Sequence, residues 1–407
     1  MRWLVPMALT FVLPGWRFFV LVLAAMPLAY YMAATLAALR FFTRERAREF
    51  ASYAPAVSLL KAVRGVDFGS YENFASFCTQ DYEHYEILFG VGDGADPAVP
   101  LIRRLITDFP QRRIRLFIGA ERIGANRKVN MLARLTREAQ HEILVLTDGD
   151  IRVTRTYLRE VVAPFADRSV GAVTSFYRGI AEKNLGAELE AIGAASDFFA
   201  GVLMANWMEG ITFALGASIV TTRGWLAKIG GFAAIADVLA DDYELGHRIA
   251  KAGGKVLLSR EAVWTMYPVQ TALSFWQHQV RWSRTVRLCR PWSFAGLIFT
   301  HGLPWALAAA LIASTPWIGA TYLIAYLVLR LTMAWTVGVW GVGDDVVRRK
   351  LWLVPLQDAI HFVVWLASFA SNRIHWGGEE YTIRSGRLIP TTAPESRDAS
   401  FASQTRR

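Results

Sequence analysis

The apolar positions along the chain fall into two kinds of segment. Between residues 56 and 176, short apolar runs rich in β-branched residues recur at 56–60, 85–91, 114–118, 143–147 and 170–176. Residues 71–80, 98–109 and 126–138, between them, carry apolar positions at helical spacing, so strands are predicted to alternate with helices. Alternation of this kind predicts an α/β domain, a mostly parallel sheet with helices on both faces. The other kind of segment is apolar throughout. Residues 18–39 contain no charged side chain, and about 22 such residues suffice to cross a ~30 Å hydrocarbon core. This run is too long for the apolar region of a signal peptide and no clear cleavage site follows, so a retained anchor is predicted. Comparable runs return only at 294–313, 317–339 and 353–370.

The basic residues orient these segments. Arg40, Arg44, Arg46 and Arg48 follow the first run, and Arg281, Arg284, Arg287 and Arg290 precede the second. Arg348, Arg349 and Lys350 separate the third from the fourth. By the positive-inside rule the intervening domain is cytoplasmic, and 294–313 and 317–339 are two crossings. Arg373, Arg384, Arg387, Arg397, Arg406 and Arg407 place the tail on the same side, which makes 353–370 re-entrant or interfacial. Asp358 and His361 within that run agree, since ionisable groups at membrane depth face protein or water; they line a path for a lipid substrate or form a satisfied polar pair within the membrane, and Arg330 reads the same way. The predicted organisation is an N-terminal anchor with a basic flank (1–48), a cytoplasmic domain (49–270), an interfacial amphipathic helix (271–292), C-terminal membrane segments (293–372) and a tail (373–407) that is polar and disordered from 391 onward.

Composition sharpens this picture. Of the 407 residues, 54% are hydrophobic and 19% charged, against about 25% charged in soluble domains. Lys and Arg exceed Asp and Glu by ten, but much of the excess lies beside the apolar runs, so no nucleic-acid partner is expected. The chain length and arginine content point to a bacterial inner membrane. The two cysteines, Cys78 and Cys289, exclude a disulfide framework and a zinc knuckle and read as small buried hydrophobes.

Ligands of a parallel sheet bind beyond the carboxyl ends of its strands. Gly-Asp-Gly-Ala-Asp-Pro (92–97) follows the 85–91 strand, and Asp148-Gly149-Asp150 follows the 143–147 strand. Two carboxylates one residue apart suit Mg²⁺, which takes few protein oxygens and shares its shell with water and phosphate. A third cluster, Asp241-Asp242, opens a helical stretch that ends at Gly253 and Gly254; on its own, Asp241 reads as the N-cap. Residues 274–287 (SFWQHQVRWSRTVR) alternate aromatic and apolar residues with Arg at helical spacing, as in an interfacial helix that binds phosphate or lipid head groups.

Together these elements resemble processive-type and lipid-directed inverting glycosyltransferases of the GT-A fold, which share three Asp positions and a Gln/Arg-x-x-Arg-Trp motif. The chain is similar in particular to the ceramide glucosyltransferase family (family 21) and its bacterial relatives. The matching segments, in order, are VSLLKAVRGVD (57–67), ENFASFCTQDYEHYEILFGVGDGADPA (72–98), RLFIGAERIGANRKVNML (115–132), LTDGDIRV (146–153), LADDYELGHRIAKAGGK (239–255) and HQVRW (278–282). The resemblance implies a GT-A domain flanked by transmembrane and interfacial helices. It assigns Asp93 and Asp96 to nucleotide contact, and Asp148 with Asp150 to the Mg²⁺ or Mn²⁺ that bridges the UDP diphosphate. It makes Asp242 the general base, with Asp241 beside it in the substrate site. Arg281 and Trp282 are placed next to the diphosphate and acceptor, and Lys128 faces the nucleotide. His278 stands where the family has Gln or Arg, with Gln277 and Gln279 flanking it as substitutes. Residues 195–199 match poorly a segment where eukaryotic members have a histidine.

The implied reaction moves a sugar from a UDP-sugar, most simply UDP-glucose, to the hydroxyl of a membrane lipid, most simply ceramide. A hopanoid glycosyltransferase using UDP-N-acetylglucosamine shares the same motifs. A non-catalytic lipid-binding or transport protein is the alternative of another class, although four apolar segments are few for a transporter and no inverted repeat is present. A processive polysaccharide synthase needs more membrane helices than these. The sequence leaves the oligomeric state open.

Overall fold

The computed structural model describes residues 15–44, 53–376, 379–384 and 386–391. Arg46, Arg48 and the polar stretch beyond 391 lie outside these residues. One sheet organises the soluble domain. Its strands are β1 (Val57–Val63), β2 (Tyr85–Val91), β3 (Arg113–Ile118), β4 (Ile143–Thr147), β5 (Ile151–Arg152), β6 (Val170–Ala181), β7 (Ser218–Thr222) and β8 (Lys255–Tyr267), in the order β3-β2-β1-β4-β7-β6-β8-β5. The strands β1 to β4 are parallel, and β7 runs antiparallel to β4 and β6. Every residue of β2 and β4 is buried, because helices cover both faces; this is why these runs are continuously apolar rather than alternating. The helices Ser70–Cys78, Ala98–Asp108 and Arg127–Glu138 lie between the strands as predicted. Asn126 caps the last of them, its side chain accepting from the Val129 N–H at 3.1 Å.

The chain leaves β1 for β2 on one side and meets β4 on the other. The loops after β1 and β4 therefore open onto a topological switch point, where such sheets form a crevice.

Among the described residues, three helices are long and apolar enough to cross a membrane: Gly15–Thr43, Pro316–Gly341 and Asp345–Ser368. A further pair, Pro291–Thr300 and Gly302–Ile312, is bent by 48°. The break thus falls in the first of the three C-terminal runs, while the last lies within one apolar helix, Asp345–Ser368. At the break, Tyr31 Oη accepts the Gly302 N–H at 2.9 Å and donates to the Thr300 carbonyl at 3.1 Å. One phenol from the N-terminal helix so replaces the backbone bonds the bend loses. In the last run, Asp358 is paired between helices. Arg330 Nη2 lies 2.8 Å from Asp358 Oδ1, and Tyr326 Oη donates to Oδ2 at 2.8 Å.

The apolar helices grip the sheet directly. Phe41 and Phe42, near the end of the first helix, pack against Phe176 of β6, edge-on and tilted, at 5.8 and 5.7 Å between centroids. Asp344 caps the helix that follows it through the Val346 and Val347 N–H groups, while its other oxygen accepts the Gly179 N–H of β6 at 2.6 Å.

Part of the tail is folded. Three short strands, β9 (Arg373–Trp376), β10 (Glu379–Arg384) and β11 (Arg387–Pro390), form an antiparallel sheet. Ile374, Tyr381, Ile383 and Leu388 are buried with Ala125 and Leu239, and the Leu388 N–H donates to the Asp237 carbonyl at 2.8 Å. The small sheet thus buttresses the loop that leads into Asp241 and Asp242.

Candidate active site

The crevice beyond β1 and β4 is built around a buried lysine. Lys61 on β1 lies in register with Thr147 on β4. Its Nζ donates to Thr147 Oγ1 at 2.9 Å and to the Asp148 carbonyl at 2.8 Å, 4.0 Å from the Phe77 ring centroid. Burial lowers its pKa to about 7, against the opposing pull of Asp150 and Asp148.

Asp148 and Asp150 follow β4 directly. Asp150 Oδ2 accepts from Thr265 Oγ1 of β8 at 2.7 Å. Burial, and then the charge of Asp148, push the Asp150 carboxyl up to about 6. Lys128, in the first turn of its helix, sets Nζ 2.5 Å from Asp148 Oδ1 and 3.7 Å from Asp241 Oδ2. The second and third acidic clusters, distant in sequence, are thereby joined through one ammonium.

The helix Asp241–Lys251 has Ala240 at its N-cap, so Asp241 is not the cap expected from the isolated motif. Its carboxylate is drawn instead toward Lys128 and toward Asn126 Nδ2, 3.2 Å away. Asp242 Oδ1 accepts the Tyr243 N–H at 2.8 Å. A Cβ on Gly216 would lie 2.6 Å from Asp242 Oδ2, so the absent side chain makes room for this carboxylate. Burial first, then Asp241, push the Asp242 carboxyl up to about 6, with Lys128 opposing. Lys128, Asp148, Gly216 and Asp241 line a cavity of about 10 Å³, the size of one water. A wider concavity of about 480 Å³, lined by Gln80, Arg112 and Arg159 among others, lies where the chain enters β2, away from these carboxylates.

The first acidic loop contributes differently. Both oxygens of Asp96 accept the Gly65 N–H, at 3.0 and 2.9 Å, and Oδ1 also accepts the Ala98 N–H. Asp96 thus ties the loop after β2 to the loop after β1, while the exposed Asp93 accepts only a local bond from the Ala95 N–H, at 2.9 Å.

The helix Ala272–Cys289 starts at Thr271, which caps it through the Ser274 N–H at 3.1 Å. Its His278 Nδ1 lies 2.7 Å from Glu190 Oε1, and Gln270 Nε2 donates to the other Glu190 oxygen. Burial depresses the Arg281 guanidinium from its ordinary value, and the charge of Glu190 counters this. Trp282 lies 5.4 Å from the His278 ring, and Gln279 is buried. At the end of the helix, Arg290 Nε donates to Tyr243 Oη at 3.1 Å, bringing it to the third cluster. Tyr177 of β6 stands among these groups: its phenol is raised by burial and then by Asp242, Glu190, Asp150 and Asp148.

Three site residues escape motif reading. Lys61 is the one charge inside the apolar run VSLLKAV, and Glu190 sits within the largely apolar LGAELEAIG. A charge in a segment otherwise fit for burial is the signal that could have found both. Thr265 has no such signal. Among the described residues no three His, Cys, Asp or Glu side chains converge as a metal cage. The Asp148–Asp150 pair is consistent with a hard cation that takes most of its ligands from water and phosphate.

Comparison with known proteins agrees with this geometry. The sequence matches glycosyl transferase family 21 over residues 19–389. It is 26% identical over 232 residues to ceramide glucosyltransferase 3 of Caenorhabditis elegans, covering 57% of this chain and 50% of that one. It is 25% identical over 229 residues to ceramide glucosyltransferase 1 of the same organism, covering 56% and 49%. The chain thus spans about half the length of these relatives. Among solved structures, the mannosyltransferase PcManGT from Pyrobaculum calidifontis, in complex with GDP-Man and Mn²⁺, superposes with a TM-score of 0.53 at 18% identity, covering 86% of this chain and 98% of that one. Motifs, sheet order and family match coincide: the chain belongs to glycosyl transferase family 21, on a GT-A fold.

Proposed function

We propose that the protein transfers a sugar from a UDP-sugar, UDP-glucose foremost, to the hydroxyl of a membrane lipid, ceramide foremost, with inversion at the anomeric carbon. The observation that carries this reading is the convergence of Lys128, Asp148, Asp150, Asp241 and Asp242 on one crevice, in a domain held against apolar helices. The C. elegans relatives named as ceramide glucosyltransferases support the choice of substrates.

In this reading Asp242 accepts the proton of the lipid hydroxyl as its oxygen attacks the sugar, help typically worth 10²–10⁴-fold. Its raised pKa suits a base that works near neutrality. Arg281 directs a planar cationic donor toward the leaving diphosphate, and Lys128 and Asp93 contact the nucleotide. Asp148 and Asp150 would hold Mg²⁺ or Mn²⁺; two carboxylates whose charges repel, one of them raised to about 6, gain from a neighbouring cation. When bound, such an ion neutralises charge on the departing phosphate. In this reading the site works on the cytoplasmic face of a bacterial inner membrane, an orientation supported by the arginines flanking the apolar helices.

The test is to incubate membranes containing the protein with radiolabelled UDP-glucose or UDP-N-acetylglucosamine and with ceramide or hopanoid, with and without EDTA. Label in ceramide that disappears on chelation is the expected result. No labelled lipid under any pairing overturns the reading, and label in hopanoid alone reassigns the acceptor.

A further inference from the structure

The helix Leu185–Gly193 continues into a π-helical turn, Ala194–Phe198, a distortion often found at functional sites. Glu190, Gly193 and Asp197 lie at i, i+3 and i+7, so they share one face and span roughly 10 Å. At one end the buried Glu190 holds His278. At the other, Asp197 Oδ2 lies 3.0 Å from Nδ1 of His361, on the last membrane helix. Between them Gly193 admits Gln357: a Cβ there would lie 2.6 Å from Gln357 Nε2 and 3.3 Å from His361 Nε2. Gln357 is wholly buried, and neither atom of its amide has a hydrogen-bond partner, which is costly unless a ligand or water completes it. His278, His361 and Asp197 are open at 32%, 23% and 35% of their side-chain surface. Phe362 and Trp365 of the same membrane helix, with His301 against both rings at 5.6 and 5.7 Å, form an apolar wall nearby.

We propose that this seam of two carboxylate–histidine pairs flanking an unpaired amide seats the polar head of the lipid acceptor, an uncharged amphiphile bearing hydroxyl and amide groups. Asp197, the open carboxylate, accepts hydroxyl or amide protons, and the two negative charges repel a phosphate head group. Donation from His278 Nδ1 to Glu190 leaves Nε2 as an acceptor for a hydroxyl. Gln357 supplies both a donor and an acceptor, the complement of an amide. The aromatic wall takes the start of the acyl chain. The inference rests on the lipid-acceptor reading above.

The experiment uses the full chain in detergent, UDP-glucose and a fluorescent short-chain ceramide. Gln357→Leu, close to isosteric, and Asp197→Asn are each expected to raise the KM for ceramide at least tenfold, while the UDP affinity measured by calorimetry stays within twofold. Direct fluorescence binding runs in parallel, with a fluorescent phosphatidylglycerol as the anionic competitor. An unchanged ceramide KM together with a lowered melting temperature makes the seam a structural lock and overturns the proposal, as does equal binding of the phosphatidylglycerol. If the wild type binds ceramide but transfers nothing to it, the transfer reading falls; loss of that binding in the two variants then still supports the seam.

Discussion

Lys61 Nζ donates to both Thr147 Oγ1 and the Asp148 carbonyl, so one buried lysine on β1 sets where the Asp148–Asp150 loop leaves β4. Lys61→Met fills the same volume without the donor. Misplacing a reacting group by about 1 Å can cost on the order of 10²-fold, and a loss of that size in kcat/KM is expected. The melting temperature should fall modestly, since Thr147 Oγ1 and the Asp148 carbonyl lose their buried donor, a cost of about 1–3 kcal/mol. Steady-state kinetics paired with thermal unfolding checks this. A normal kcat/KM in a well-folded Lys61→Met protein would contradict the positioning role.

Asp242 is pushed up to about 6 by burial and by Asp241. A base must be ionised to accept a proton, so kcat/KM should fall about tenfold per pH unit below pH 6 and level off above it. Asp242→Asn should reduce transfer by about 10²–10⁴-fold while UDP still binds. Gly216→Ala, which sets a methyl group against the carboxylate, should lower kcat in the same direction. An Asn variant with near-normal turnover removes Asp242 from the role of base.

Arg330 and Asp358 are paired between two apolar helices, and the Arg330 guanidinium also reaches the Ser196 carbonyl. Arg330→Leu leaves Asp358 buried without its cation, a loss of about 3–5 kcal/mol. Arg330→Leu combined with Asp358→Leu should recover much of that loss. Thermal unfolding in one detergent compares the three proteins; a double variant no better than the single one would refute the account of the pair.

A chain ending at residue 370 lacks β9 to β11, and with them the support of Asp237 and Leu239. The loop leading to Asp242 then loses its outer wall, and kcat/KM should fall on the order of 10²-fold, with the membrane fraction unchanged. Full activity in the shortened protein would show that the small sheet is dispensable.

The parallel half of the sheet was legible because β1 to β4 are buried on both faces and separated by amphipathic helices, so hydropathy alone marks them. The carboxylates at their ends were legible for the same topological reason. The antiparallel insertion of β7 between β4 and β6 was not, since its register depends on pairings remote in sequence. Lys61 and Glu190 were hidden inside apolar runs, where they change the pattern by one position. Asp358 was legible as a polar group in an apolar run, but its partner was not, because Arg330 lies on another helix 28 residues away. The strands β9 to β11 are short and bury few side chains, so their hydropathy is that of a polar tail.

The small sheet that buttresses Asp237 and Leu239 is encoded after every apolar segment described above. On the ribosome, the acidic loop is made early and its outer wall last. Every apolar helix described above is therefore synthesised while the loop still lacks that wall, so the crevice is the last part of the fold to be completed.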